Sequence, residues 1–113
     1  MHTIRNRVQL IGKLGVAPEV KSFENGKKLA KFRMATNEIY QNNKGEKVED
    51  TQWHEVVAWG GLAEIVEKYL DKGSDVVVEG RLVHDSYEDK DGVKRYKTEI
   101  TANEVVMLGG KKS

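Results

Sequence analysis

The amino-acid sequence predicts an all-β domain, a small antiparallel barrel of five strands with one α-helix between the third and fourth strands. Stretches of alternating or β-rich composition are separated by turn signals, and one stretch has the period of a helix. Nothing before that helix leaves room for the crossovers of a parallel sheet. With 113 residues, one Pro and no Cys, the chain is expected to form one domain over residues 1–108, followed by a frayed end over residues 109–113.

The first two predicted strands each have one apolar and one polar face. In the first, the apolar face comprises Val8, Leu10, Gly12 and Leu14, and the polar face Arg5, Arg7, Gln9 and Lys13. In the second, the two faces comprise Ala30, Phe32, Met34 and Thr36, and Lys31, Arg33 and Asn37. Asn25-Gly26 predicts a tight turn before the second strand, and residues 42–45 predict a longer loop after it.

The third predicted strand, residues 51–60, has two faces that are both rich in apolar or aromatic residues. One face comprises Trp53, Glu55, Val57 and Trp59, and the other comprises His54, Val56 and Ala58. Because a buried, unpaired carboxylate is costly, Glu55 favours an exposed tryptophan face and a His54 face that lines the core. The alternative is that the tryptophan face is core.

The helix and the last two strands follow in order. Apolar residues at helical spacing predict one amphipathic helix: Leu62, Ile65, Val66, Tyr69 and Leu70. Gly73 is placed to stop it. Residues 76–83 and 95–108 read as two long strands joined by a hairpin across Asp91-Gly92. Three strands, a helix and two strands are the arrangement of the OB-fold, a five-stranded Greek-key barrel. An open antiparallel sheet with the helix on one side is the alternative.

Catalytic and metal-binding motifs are not apparent in the sequence. The three histidines lack partners at catalytic or zinc spacing, and no glycine spacing matches a phosphate-binding loop. The acids around the second hairpin lack the twelve-residue loop of a calcium site; they are Asp85, Glu88, Asp89 and Asp91. We therefore predict no enzyme, no metal site and no cofactor. No apolar run approaches the about 20 residues of a membrane span, so a cytoplasmic location is expected.

Charge and aromatic residues point to a binding surface. The net charge is only +1, but residues 1–35 carry eight basic against two acidic side chains, a local balance of +6. Trp53 and Trp59 would stand roughly 20 Å apart on one strand face, each able to stack a nucleobase. Tyr40 ends the second strand, and Tyr87 lies in the hairpin arm after the fourth. The outward Lys31 and Arg33 would supply cations beside the tryptophans.

Motifs along nearly the whole chain resemble the bacterial single-stranded DNA-binding protein family. They are residues 6–15 (NRVQLIGKLG), 18–20 (PEV), 51–57 (TQWHEVV), 63–64 (AE), 69–73 (YLDKG), 78–82 (VEGRL) and 107–109 (MLG). The resemblance implies an OB-fold that assembles as a homotetramer and wraps single-stranded DNA without strong sequence preference. It also implies a non-catalytic, nucleoid-associated role in replication, recombination and repair. The alternative is a replication-restart accessory, an OB-fold relative that acts mainly through protein contacts.

The same resemblance implies roles for particular residues. It implies that the stacking aromatics are Tyr40, Trp53, Trp59 and Tyr87. The phosphate-contacting positions that match are Arg7, Lys13, Lys21 and Lys72, and Lys31 and Arg33 lie on the strand that the family uses in its groove. Subunit-interface positions correspond to Asn6, Val8 and Leu10 of the first strand and to His54.

Two departures from the family pattern stand out. Glu55 replaces a frequently basic neighbour of Trp53, and residues 83–86 replace basic residues before the hairpin aromatic. The sequence also ends without the acidic tail through which the family recruits repair and replication proteins, so tail-mediated partners are left open.

Overall fold

The chain folds into a closed barrel of five long strands, with a sixth, short strand paired to one of them. The computed structural model describes residues 5–108, and the predicted frayed end over residues 109–113 lies outside that range. The elements are β1 (Val8–Leu14), β2 (Glu19–Ser22), β3 (Lys28–Gln41), β4 (Lys47–Trp59), α1 (Gly61–Tyr69), β5 (Asp75–Glu88) and β6 (Lys94–Met107).

The strands pair in the order β1-β5-β6-β4-β3-β2, and β1 also pairs with β3 to close the barrel. All pairings are antiparallel except a short parallel one between β4 and β6, where Val56 lies opposite Ile100. The predicted OB-fold is confirmed, and so is the helix between the third and fourth of the five predicted strands. The added strand β2 was not predicted, because its four residues include one apolar side chain, Val20.

The barrel interior is lined by the faces that alternation assigns to it. Phe32 and Met34 of β3 and Val56 and Ala58 of β4 are buried there. The side chains of α1 that pack against the same core include Ala63 and Val66. The core therefore lies on the His54 face of β4, and the alternative that the tryptophan face is core is wrong.

The helix covers one end of the barrel and stops earlier than predicted. It ends at Tyr69, where the Leu70 N–H donates to the Val66 carbonyl at 3.1 Å and the Leu70 side chain is buried. Gly73 is therefore not the helix stop. It lies in the following turn with φ +86°, and its N–H donates to the Leu14 carbonyl at 2.9 Å. The positive φ that glycine tolerates thus allows this turn to bond to the end of β1.

Two hairpin arms extend from the barrel. The β3–β4 arm pairs as far as Gln41 opposite Lys47, and the β5–β6 arm as far as Glu88 opposite Lys94. The predicted turn across Asp91-Gly92 is confirmed: the Asp89 carboxylate accepts bonds from Arg95 Nε at 2.9 Å and from two backbone N–H groups of the turn. The Arg95 bond, followed by the backbone donors, lowers the pKa of Asp89. This carboxylate thus orders the arm's tip.

Candidate nucleic-acid interface

The candidate site lies on the outer face of β3 and β4, opposite the core. The strand register places Trp53 beside Ala35, Glu55 beside Arg33, and Trp59 beside Leu29. Because alternate side chains point to the same side of a strand, the tryptophans and Glu55 share one face. Val57 on that face is nevertheless buried, since it lies between Lys31 of β3 and Thr101 of β6.

Trp53 is held from two sides. Its ring packs on the backbone of Gly15, where a Cβ would come within 2.5 Å of Trp53 Cζ3. The guanidinium of Arg33 lies over the ring, 5.4 Å from its centroid, an arrangement that favours a cation–π contact. The indole is therefore oriented before any ligand arrives.

Trp59 stacks on an aromatic residue that sequence reasoning missed. The rings of Phe23 and Trp59 lie 6.2 Å apart at an interplanar angle of 24°, and 43% of Phe23 is exposed. Phe23 precedes the Asn25-Gly26 turn, so it lies outside the alternating stretches used for prediction. Extending the hairpin register backwards from that turn would have placed it beside Lys21 on the outer face of β2. Phe23 thus extends the aromatic surface beyond β4.

The four predicted stacking residues are all about half exposed, from 48% for Trp59 to 53% for Tyr40. The structure brings only the two tryptophans onto one strand. Tyr87 lies in the β5–β6 arm opposite Arg95, and Tyr40 in the β3–β4 arm opposite Val48. Alternation along β3 puts Tyr40 on the side opposite Arg33. A ligand that contacts all four rings would therefore have to reach both hairpin arms as well as β4.

The six predicted phosphate-contacting residues divide into two sets. Four lie around the tryptophan face: Lys13, Lys21, Lys31 and Arg33. Among these, Lys13 pairs with Asp75 at 3.2 Å and Lys31 with Glu99 at 3.9 Å. Arg7 lies at the far end of β1 and is paired with Glu79 at 2.7 Å, while Lys72 follows α1. The structure therefore places four of the six predicted cations on the strands around Trp53 and Trp59. Arg7 precedes β1, and Lys72 adjoins Gly73, whose N–H donates to the Leu14 carbonyl at the end of β1.

The predicted interface residues lie on and near β1. The Asn6 side chain bonds to both the N–H and the carbonyl of Leu82, while Val8 and Leu10 pack against the barrel core. The side chains of Val8 and Leu10 therefore face inward, and the exposed residues of β1 are Gln9, Ile11 and Lys13; Ile11 is 60% exposed. His54 is half-buried, with Nε2 3.0 Å from the hydroxyl of Thr36.

The Gly15→Ala variant tests how the protein orients Trp53. The added methyl group would occupy the space of the indole and displace a movable side chain, not backbone. We expect the affinity for a single-stranded oligonucleotide to fall by about 1 kcal/mol, the lower end of the contribution of one stacked base. The melting temperature should change little. Fluorescence anisotropy with a labelled oligonucleotide and thermal melting followed by circular dichroism measure the two effects. Unchanged affinity would show that the ring position set by Gly15 does not matter.

Within residues 5–108, no cluster of His, Asp or Glu is suited to hold a metal ion. No helix in that range is long and apolar enough to cross a membrane. A closed barrel with half-exposed aromatic rings and cations on its outer face defines a class of protein, the OB-fold binding domains of single strands and oligosaccharides. The model of the Single-strand binding protein family matches residues 5–108, and the chain belongs to that family.

Relatives of this chain in several bacteria are named single-stranded DNA-binding protein. The single-stranded DNA-binding protein of Neisseria meningitidis serogroup B is 44% identical over 106 residues, which are 94% of this chain and 61% of the relative. Single-stranded DNA-binding protein 1 of Xylella fastidiosa is 46% identical over 107 residues, 94% of this chain and 79% of the relative. The chain thus spans less than two thirds of the length of the Neisseria relative.

Solved structures show the same fold. The Plasmodium falciparum SSB in complex with ssDNA superposes with a TM-score of 0.85 at 30% identity, covering 96% of this chain and 99% of that one. A deletion mutant of the single-stranded DNA binding protein from Thermus aquaticus gives a TM-score of 0.80 at 30% identity, covering 93% of this chain and 51% of that one. Both likenesses extend over nearly all of this chain.

Proposed function

We propose that this chain binds single-stranded DNA without strong sequence preference and protects it during replication, recombination and repair. The observation that carries the proposal is the pair of half-exposed tryptophans on one face of β4, with cationic side chains on the strands beside it. The names of the relatives and the solved complex of the Plasmodium falciparum protein with ssDNA support it. The role is a non-catalytic one, and it places the protein in the cytoplasm at the nucleoid.

Base stacking supplies most of the affinity in this proposal. Each base that stacks on an aromatic ring contributes about 1–3 kcal/mol, whatever its identity. The rings are Tyr40, Trp53, Trp59 and Tyr87, and the cations that meet phosphates are Arg7, Lys13, Lys21, Lys31, Arg33 and Lys72. Because Arg7, Lys13 and Lys31 already have acidic partners, each must exchange a carboxylate for a phosphate. Phosphate contacts therefore contribute less than the number of basic residues indicates.

The protein assembles as a homotetramer in this proposal, through the region that contains Asn6, Val8, Leu10 and His54. Residues 8–12 of β1 pair with β5 along one edge, and within residues 5–108 no strand pairs with their other edge. An unpaired edge is a template for another strand. Exposed Ile11 and Val106 also flank Val77 across β1, β5 and β6, a stripe that a second copy could cover. Light scattering should give about four times 12.8 kDa; a monomer would contradict the assembly.

A titration with oligothymidine tests the binding proposal. Strong quenching of tryptophan fluorescence is expected, because bases would stack on Trp53 and Trp59, and duplex DNA should compete poorly. Repeating the titration at two salt concentrations separates the contribution of phosphate contacts from that of stacking. Phosphate contacts make the logarithm of the binding constant fall linearly with the logarithm of the salt concentration, and stacking does not. We expect a shallow salt dependence. An absence of quenching at low salt would reject the proposal and favour an accessory that acts through protein contacts.

A further inference from the structure

A pocket opens beside Trp53 on the outer face of the barrel. Its volume is about 300 Å³, at the lower end of small-molecule sites. The apolar part of its wall includes Val16 and Val57, and the polar part is made by two cations and three acids: Lys31, Arg33, Glu19, Glu55 and Glu99. A groove that only held phosphates would have no use for the acids, because carboxylates repel them.

The three carboxylates of the pocket have different surroundings. Glu19 is exposed and lies on β2 opposite Lys31. The Glu99 side chain is 15% exposed and lies between Lys31 at 3.9 Å and Lys97 at 3.8 Å, so its charge is compensated. Glu55 faces Arg33 across the strands, but the Arg33 guanidinium lies over the Trp53 ring. Among the described residues, Glu55 therefore has no ion-pair or hydrogen-bond partner, and its two oxygens are available as acceptors.

We propose that this pocket selects guanine from among the bases of a bound single strand, with Glu55 as the selecting residue. The inference rests on the proposed function and adds a base preference to it. The Watson–Crick edge of guanine carries two adjacent donors, N1–H and N2–H, which match the two oxygens of one carboxylate. The other edge of guanine carries the acceptors O6 and N7, which pair with Arg or Lys. Lys31 and Arg33 supply such cations to the same pocket.

The other bases fit a free carboxylate less well. Adenine and cytosine each place a ring-nitrogen acceptor next to the amino group, so each offers Glu55 one bond and one repulsion. Thymine has a single N3–H between two carbonyls. A bidentate contact discriminates by about fivefold or more, and a solvent-open pocket such as this one belongs at the lower end. The preference is therefore modest and compatible with binding to any sequence.

The experiment compares thymine-rich oligonucleotides that differ only at isolated positions. Guanine, inosine, which lacks the N2 amino group, or thymine occupies those positions, and a lithium buffer prevents guanine quadruplexes. Fluorescence anisotropy of the labelled strands gives the affinities. We expect the guanine strand to bind about fivefold more tightly than the inosine and thymine strands. Glu55→Gln should abolish this difference while binding the thymine strand at least as well as the original protein, since a charge that repels phosphates is removed.

Glu49→Gln is the matched control. Glu49 lies on the same face of β4, and the substitution removes the same charge, but the residue sits in the hairpin arm opposite Ile39. It should keep the guanine preference. Equal affinity for guanine and inosine strands, or a preference that survives Glu55→Gln, would overturn the pocket inference while leaving thymine binding and the proposed function intact. If the original protein bound none of the oligonucleotides, that result would instead reject the proposed function.

Discussion

Replacing both Trp53 and Trp59 with Ala is expected to weaken the binding of a short oligothymidine by about 2–6 kcal/mol, at about 1–3 kcal/mol for each stacked base. Both rings are about half exposed, and neither belongs to the barrel core, so the double variant should fold. Fluorescence anisotropy of a labelled oligonucleotide measures the affinity, because the variant has lost its tryptophan signal. Each single variant should lose about half of the total.

Tyr96→Ala is the control for this prediction. Tyr96 is the most exposed aromatic residue of the described chain, and it lies opposite Ser86 on the side of the arm away from Tyr87. Its removal should leave the affinity unchanged. Circular dichroism checks the fold of each variant. Unfolding of the double variant would show that the tryptophan face is structural, and unchanged affinity in a folded double variant would exclude stacking on β4.

Local patterns in the sequence were sufficient to predict the fold and the exposed face of β4. Alternation is a property of neighbouring residues, so the acid at Glu55 could separate the tryptophan face from the His54 face without any knowledge of the partner strands. The helix was identified in the same way from its period. The predicted end of the helix was wrong, because the conformation around Gly73 is determined by a bond to Leu14, which is distant in the sequence.

The remaining features of the candidate site depend on contacts between distant parts of the chain. Phe23 reaches Trp59, and Gly15 reaches Trp53, only after β1, β2 and β4 have come together. The sequence also could not reveal which cations have acidic partners. Arg7 pairs with Glu79, 72 residues away in the sequence. The pocket proposed for guanine likewise joins β2, β3, β4 and β6, so neither its volume nor the surroundings of Glu55 could be inferred from alternation.

Gly12→Val is expected to lower the free energy of unfolding by about 3 kcal/mol. This value is in the upper part of the usual range for overpacking a well-packed site. Gly12 lies where β1 crosses β3 to close the barrel, and a Cβ there would collide with the backbone carbonyl of Ala35, which cannot move aside as a side chain can. Urea unfolding followed by tryptophan fluorescence measures the change. Gly61→Ala is the control, because Gly61 begins α1 with open space around it, and Ala favours the helix. If Gly12→Val were as stable as Gly61→Ala, the close approach of β1 to β3 would not be what limits residue 12 to glycine.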